Sequence, residues 1–214
     1  MSKTTIILIR HGETDWNKKN VFRGLKDIPL NENGLRQAHK TTAALQKVPV
    51  KAVYSSPLSR AFETATIIAK AKGLEPVIEE PFNDISFGLW EGRLVDEVAR
   101  EYPEEFKRWV DAPHLWKAPE GDSLTAVKER AWSRLEELSR EHEKETLVVV
   151  SHRVVLMLLL IAALGMDDSK FWNLEQSPCA INVLTKKDGR YLLSKFNESC
   201  HLVRFSEAIS SEAH

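Results

Sequence analysis

Residues 4–17 read TTIILIRHGETDWN, and the first half of that stretch decides the fold. Ile6, Ile7, Leu8 and Ile9 form a continuous apolar run, the pattern of a strand buried on both faces of a parallel sheet rather than of an amphipathic edge. The run stops at Arg10 and His11, followed by Gly12 and polar side chains. The strand's carboxyl end therefore presents a guanidinium next to an imidazole, and ligands of open α/β sheets bind at that end. A cation held this close depresses the histidine pKa and keeps the ring neutral unless an anion sits between them. A neutral imidazole beside a fixed cation is suited to attack a phosphorus atom. A single histidine after a strand reads equally well as a hydrogen-bonded loop residue.

A second stretch of the same kind, TLVVVSHR at 146–153, delivers His152 from another buried strand. Between the two, Leu35, Ala38, Thr42 and Leu45 predict a helix over 34–47 that Pro49 stops, and 51–55 reads as a short strand. The next helix takes Pro57 in its first turn and ends at Gly73, which puts Arg60 at a helix start, where free amides and the dipole favour an anion. Residues 75–78 read as a third strand. The three-four repeat of Leu124, Val127, Ala131, Leu135 and Leu138 predicts the longest helix over 121–143, with Asp122 or Ser123 as its cap. Residues 180–185 and 191–196, joined by KKDG, read as a hairpin.

Residues 16–30 hold Gly24 and Pro29 without periodicity and read as an ordered loop; loops of that length in compact domains are usually functional. Residues 94–119 are rich in aromatics and broken by Pro103, Pro113 and Pro119. They read as a lid or pocket wall, or equally as a covering insertion with no chemistry. The polar tail after Phe205 reads as frayed. The expectation is one domain over 1–214, of α/β class, with a mostly parallel central sheet and helices on both faces.

Composition narrows the partners. The 30 basic residues against 31 acidic ones leave no global field to attract nucleic acid or an anionic membrane, so any anion affinity is local. Cys179 and Cys200 have no metal-knuckle spacing and read as reduced thiols. Residues 147–166 are hydrophobic enough to suggest a membrane span, but Ser151, His152 and Arg153 interrupt them. A charge at the bilayer centre costs at least about 2.5 kcal/mol, and the apolar run after it is shorter than the roughly 20 residues a span needs. With no signal-peptide pattern, a cytoplasmic enzyme is the expectation. A homodimer stays open.

Two imidazoles, His11 and His152, and two guanidiniums, Arg10 and Arg60, are thus expected at one sheet edge. Guanidinium suits bidentate phosphate binding, while the glycine-rich phosphate loops and the GxSxG elbow are absent. RHGETDWN at 10–17, SSPLSRAFETA around Arg60, DISFGLWEG at 84–92 and VVVSH ending at His152 together resemble the histidine phosphatase superfamily, also called phosphoglycerate-mutase-like, along almost the whole chain. The resemblance implies that His11 is the phosphorylated nucleophile. It implies that Arg10, Asn17, Arg60 and His152 grip the phosphoryl oxygens, and that Asp84 protonates the leaving oxygen. Family members most often carry a glutamate there, one methylene longer. Without the motif, Asp84 and Asn17 read as turn residues and Arg60 as a surface cation. Arg153 is a departure, since a small residue often follows the second histidine; its role and that of His201 are open.

The resemblance further favours a metal-independent phosphatase without cofactor over a mutase, because the chain lacks the longer basic insertion after the acid. Segments such as YPEEFKRWVDAPH and EGDSLTAVKERAW are similar to metal-independent phosphoserine phosphatases, which makes phosphoserine the first expectation, ahead of α-ribazole phosphate and sugar phosphates. Arg23, Gly24 and Phe87 are the expected substrate contacts. Phe87 stands where those enzymes are expected to have a histidine, and Arg23 where a glutamine would fit. An arginine there suits a carboxylate or a second phosphate, and a phenylalanine suits an apolar or ring-bearing leaving group. Two rivals come from other classes: a metal hydrolase using His11, His152 and Asp84 as ligands, which Arg10 and Arg60 oppose by repelling a cation, and a catalytically dead phosphate-binding module.

Overall fold

The structure, a computed structural model, describes residues 3–202; the tail after Phe205, with His214, lies outside them. β1 (Lys3–Arg10), β2 (Ala52–Ser55), β3 (Val77–Ile78), β4 (Thr146–Ser151), β5 (Ile181–Lys187) and β6 (Arg190–Glu198) form one sheet in the order β3-β2-β4-β1-β5-β6. The first four are parallel, and β5 and β6 are added antiparallel beside β1. The class is α/β with a mostly parallel sheet, as the apolar runs of β1 and β4 predict. Successive side chains of β1 enter opposite layers, as a strand's period of two requires. Ile6 and Leu8 join one core with α6 (Leu124–Glu141) and α7 (Arg153–Leu164), while Ile7 and Ile9 join another with α3 (Ser59–Lys70). No helix of the described residues is long and apolar enough to cross a membrane.

Several element boundaries differ from expectation. Residues 16–30 are not wholly loop: α1 (Asp15–Lys18) forms because the Asn17 carboxamide oxygen accepts from both the backbone N–H and the hydroxyl of Thr14, each at 2.8 Å. α2 (Glu32–Ala44) begins earlier than 34 because Asn31 caps it, accepting from the Gly34 N–H at 2.8 Å. Its buried side is Gly34, Ala38, Thr41 and Leu45, so Leu35 and Thr42 flank the core rather than fill it. Pro57 lies outside α3, whose cap is Leu58. The third strand shrinks to Val77 and Ile78. Ser123, not Asp122, caps α6, accepting from the Ala126 N–H at 3.2 Å. Residues 94–119 fold into α4 (Val95–Glu101), α5 (Pro103–Asp111) and a short 3-10 turn.

The loop after His11 is docked on the start of α2 through backbone-to-backbone contact. A Cβ on Gly34 would lie 2.2 Å from the Glu13 carbonyl oxygen, and one on Gly12 would lie 2.6 Å from that of Gly34. The Asn31 N–H donates to the same Glu13 carbonyl at 3.0 Å, so that oxygen is fixed. Gly34→Ala is expected to lower stability by about 1–3 kcal/mol through overpacking, read as a shift in the urea midpoint. A midpoint unchanged from wild type would show that the loop yields freely.

Candidate active site

The pairing of β1 with β4 sets Arg10 opposite Ser151, and the His11 N–H donates to the Ser151 carbonyl at 3.0 Å. The next residues, His11 and His152, therefore leave the sheet at one level, with ring centroids 5.2 Å apart. Both rings are buried. His11 Nδ1 lies 2.7 Å from the Gly12 carbonyl oxygen; a carbonyl only accepts, so Nδ1 carries the proton and Nε2 keeps a free lone pair. Burial, then the charges of Arg60, Arg10 and Arg23, hold His11 neutral well below the usual 6.5. Burial and the Arg60 charge do the same to His152. His152 Nε2 meets Ser56 Oγ at 2.7 Å.

Arg60 enters from the first turn of α3 and is fully buried. Its guanidinium donates to the carbonyls of Lys26 and Gly24 at 2.8 and 2.9 Å and to Asp84 Oδ2 at 3.1 Å. Asp84 Oδ2 also lies 3.4 Å from His152 Nδ1, and Oδ1 accepts from the Ile85 N–H at 3.0 Å. Burial raises the Asp84 pKa above its ordinary value, while Arg60 and Arg23 pull against that rise. Arg10 donates to the Gln176 carbonyl at 2.6 Å. Burial and the nearby Arg23 and Arg153 lower its pKa to about 9, so it stays charged at neutral pH. The buried Nε groups of Arg10, Arg23 and Arg60 and Nδ1 of His152 have no hydrogen-bond partner among the described residues. Each such orphan costs about 1–3 kcal/mol, a cost that a hydrogen-bond acceptor bound nearby would relieve.

His11 and Asp84 open into one cavity of about 510 Å³ whose wall includes Arg23, Gly24, Phe87 and Arg153. The expected residues thus divide into a buried floor of Arg10, His11, Arg60, Asp84 and His152, of which His11 and Asp84 line the cavity, and a wall of Arg23, Gly24 and Phe87. Asn17 is set apart from both: its carbonyl caps Thr14, which leaves its amide N–H groups as the only donors toward a ligand. Arg153 stands on the rim with its guanidinium carbon 5.5 Å from the centre of the Trp172 ring. His201 is elsewhere, bonded to Thr41 Oγ1 at 2.9 Å. No group of three His, Cys, Asp or Glu side chains suited to hold a metal occurs among the described residues.

Sequence reasoning missed the residues that hold this set in place. Glu91 Oε1 accepts from the N–H groups of Leu25 and Phe87 and from Ser86 Oγ, at 3.1, 3.0 and 3.2 Å, tying together the two wall loops. Gly24 must stay glycine, with φ +50° and Glu91 Oε1 2.2 Å from where its Cβ would be. Arg130 donates to the carbonyls of Pro81 and Asp84 at 2.5 and 2.8 Å, fixing the acid's backbone. Thr64 accepts from the Gly12 N–H at 3.1 Å and donates to the Arg60 carbonyl at 2.8 Å. Glu91 lies inside the DISFGLWEG motif. Thr64 and Arg130 likewise lie inside the segments SSPLSRAFETA and EGDSLTAVKERAW, but nothing in those segments gives their bracing partners.

Keeping two imidazoles buried and neutral has a consequence for stability. Below the usual 6.5 the unfolded chain binds more protons than the folded one, so the contribution from His11 and His152 is complete above that value and is lost as pH falls beneath it. The melting temperature is expected to drop from about pH 7.5 to about pH 5.5, less steeply in His152→Gln. An equal slope in that variant would count against a neutral buried ring at 152.

Comparisons with known proteins bear on the family and the fold. The model of the histidine phosphatase superfamily (branch 1) matches residues 6–199. The chain is 40% identical over 200 residues, 94% of its length and 95% of the other's, to phosphoserine phosphatase 1 of Hydrogenobacter thermophilus. Among solved structures, YhfR of Bacillus stearothermophilus superposes with a TM-score of 0.90 at 30% identity, covering 94% of this chain and 100% of that one. Phosphoserine phosphatase of Entamoeba histolytica, in complex with 3-phosphoglyceric acid, superposes at 0.83 with 30% identity and the same coverage. With the rings of His11 and His152 brought together at the ends of two parallel strands, the chain belongs to branch 1 of the histidine phosphatase superfamily.

Proposed function

We propose that the chain hydrolyses a small phosphomonoester in two steps, through a phosphohistidine at His11. The observation that carries this reading is the Nδ1 hydrogen bond to Gly12, which leaves His11 Nε2 unprotonated among guanidiniums and in the same cavity as Asp84. In the first step Nε2 bonds to phosphorus and the P–O bond to the alcohol breaks, with the Asp84 proton passing to the leaving oxygen. In the second, water attacks phosphorus, the N–P bond breaks, and the water proton returns to Asp84. Dividing the transfer replaces one difficult displacement by two easier ones. Arg10 and Arg60 bind and neutralise the oxygens in flight, and His152 and the Asn17 amide offer them hydrogen bonds.

Asp84 reaches the cavity despite its short side chain, which supports the acid role in place of glutamate. A phosphate dianion beside it would raise its pKa further against the pull of Arg60. Asp84 runs directly into the 3-10 turn Gly88–Trp90 with no long basic insertion, which favours hydrolysis over mutase chemistry. Asp84 is already paired with Arg60, so a divalent cation would have to compete with a guanidinium; activity is expected to survive a strong chelator. The relative named phosphoserine phosphatase 1 makes phosphoserine the reference ester. The free thiols Cys179 and Cys200 are in keeping with a reducing, cytoplasmic setting.

His11→Ala is expected to abolish turnover and the incorporation of acid-labile phosphate; full activity in that variant would refute the nucleophile. Asp84→Asn is expected to lower the rate by about a hundredfold or more for alkyl phosphates and far less for nitrophenyl phosphate, whose leaving group needs no proton. The loss of kcat at high pH with alkyl esters, which follows Asp84 deprotonation, should vanish with it. Equal losses for both esters would exclude an acid role.

A further inference from the structure

The cavity around this site is walled by aromatic rings in unbroken contact. Phe22 and Phe87 lie 4.9 Å apart between centroids, Phe87 meets Trp109 edge-on at 5.5 Å, and Trp109 meets Trp172 edge-on at 5.0 Å. All four line the cavity beside His11 and Asp84. The chain of rings ends at the rim, where the Arg153 guanidinium lies over Trp172. Charged groups of the wall are cationic, Arg23 and Arg153, with Asp84 the one carboxylate among the described residues that line it. Glu175 acts on Arg153 from outside that wall.

An alcohol that carries an ammonium group finds no partner here. Its charge would face Arg23 and Arg153 and, below them, Arg10 and Arg60. Pairing instead with Asp84 would hold that carboxyl ionised, when transfer to an alkoxide needs its proton. A ring or alkyl body, by contrast, gains from burial against Phe87 and Trp109. We infer that this cavity selects phosphomonoesters whose alcohol is apolar or aromatic and bears an anion or no charge, in preference to ammonium-bearing alcohols such as serine. The inference rests on the phosphohistidine reading above. It assigns Phe22, Phe87, Trp109 and Trp172 to the leaving group, and Arg153 to any anion at its far end.

The test compares kcat/KM for esters of similar leaving-group acidity, so that chemistry does not masquerade as recognition. 3-Phenylpropyl phosphate is expected to exceed propyl phosphate by about tenfold or more, the gain from burying a ring. N-acetyl-O-phosphoserine is expected to exceed phosphoserine. A carboxylate on the phenyl ring should keep or increase the rate, and Arg153→Gln should remove that increase. Phe87→His is expected to shift the ratio of phosphoserine to 3-phenylpropyl phosphate towards phosphoserine by about tenfold; Phe87→Leu, an apolar control for packing, should lower the phenyl advantage without helping phosphoserine. Phosphoserine as the better ester, or no phenyl advantage, would overturn the inference while leaving the phosphohistidine mechanism standing. A preference for phosphocholine would overturn it too, making the rings an ammonium cage. Turnover of none of these esters, with no acid-labile phosphate on His11, would bring down the mechanism and this inference together.

Discussion

Two imidazoles can serve one anion only if their strands stop at the same height, and the parallel register of β1 with β4 enforces that. Arg10 faces Ser151, the His11 amide is bonded to the Ser151 carbonyl, and the rings that follow sit 5.2 Å apart. A slip of one residue would turn every side chain of the strand to the other face. Ile6 and Leu8 are committed to one core and Ile7 and Ile9 to the other, so the slip is opposed by both layers at once. The chemistry inherits its geometry from the packing of four aliphatic side chains.

The charge pattern built on that frame is costly without a ligand. Arg60 is fully buried and Asp84 nearly so, and removing one partner of such a pair typically destabilises by about 3–5 kcal/mol. Their bond leaves Arg10 and Arg23 without a carboxylate hydrogen bond, and several ring and guanidinium N–H groups orphaned. Carbonyls of Lys26, Gly24 and Gln176 hold the guanidiniums in place without cancelling their charge. The guanidiniums of the floor are thus held by groups of the chain itself, and donors fixed in this way stabilise developing charge with little reorganisation.

Above the floor the material changes. Segment 94–119 supplies Phe106 and Trp109 to the cavity, while Trp116 packs beneath, 4.7 Å from Trp90. Glu91 joins the loop of Gly24 to the loop of Phe87, so the two loops of the wall are connected by one side chain. In the proposed reaction the arrangement would separate two tasks, with guanidiniums and imidazoles toward the phosphoryl group and rings toward what departs from it.

What the chain's order determines by itself is local and periodic. The runs IILI and LVVV define buried parallel strands, their abrupt ends expose Arg10, His11 and His152, and the motif around Arg60 places that cation at a helix start. Boundaries escaped where a side chain intervened: Asn31 lengthens α2, and Asn17 turns part of a loop into α1. Only the tertiary structure decided that Asn17 caps Thr14, that Glu91, Thr64 and Arg130 brace the site, and that rings from Phe22 to Trp172 close into one wall. Such contacts span tens of residues along the chain and depend on direction as well as identity, and periodicity carries no record of either. A pattern of apolar residues states which face is buried; it does not state what that face meets.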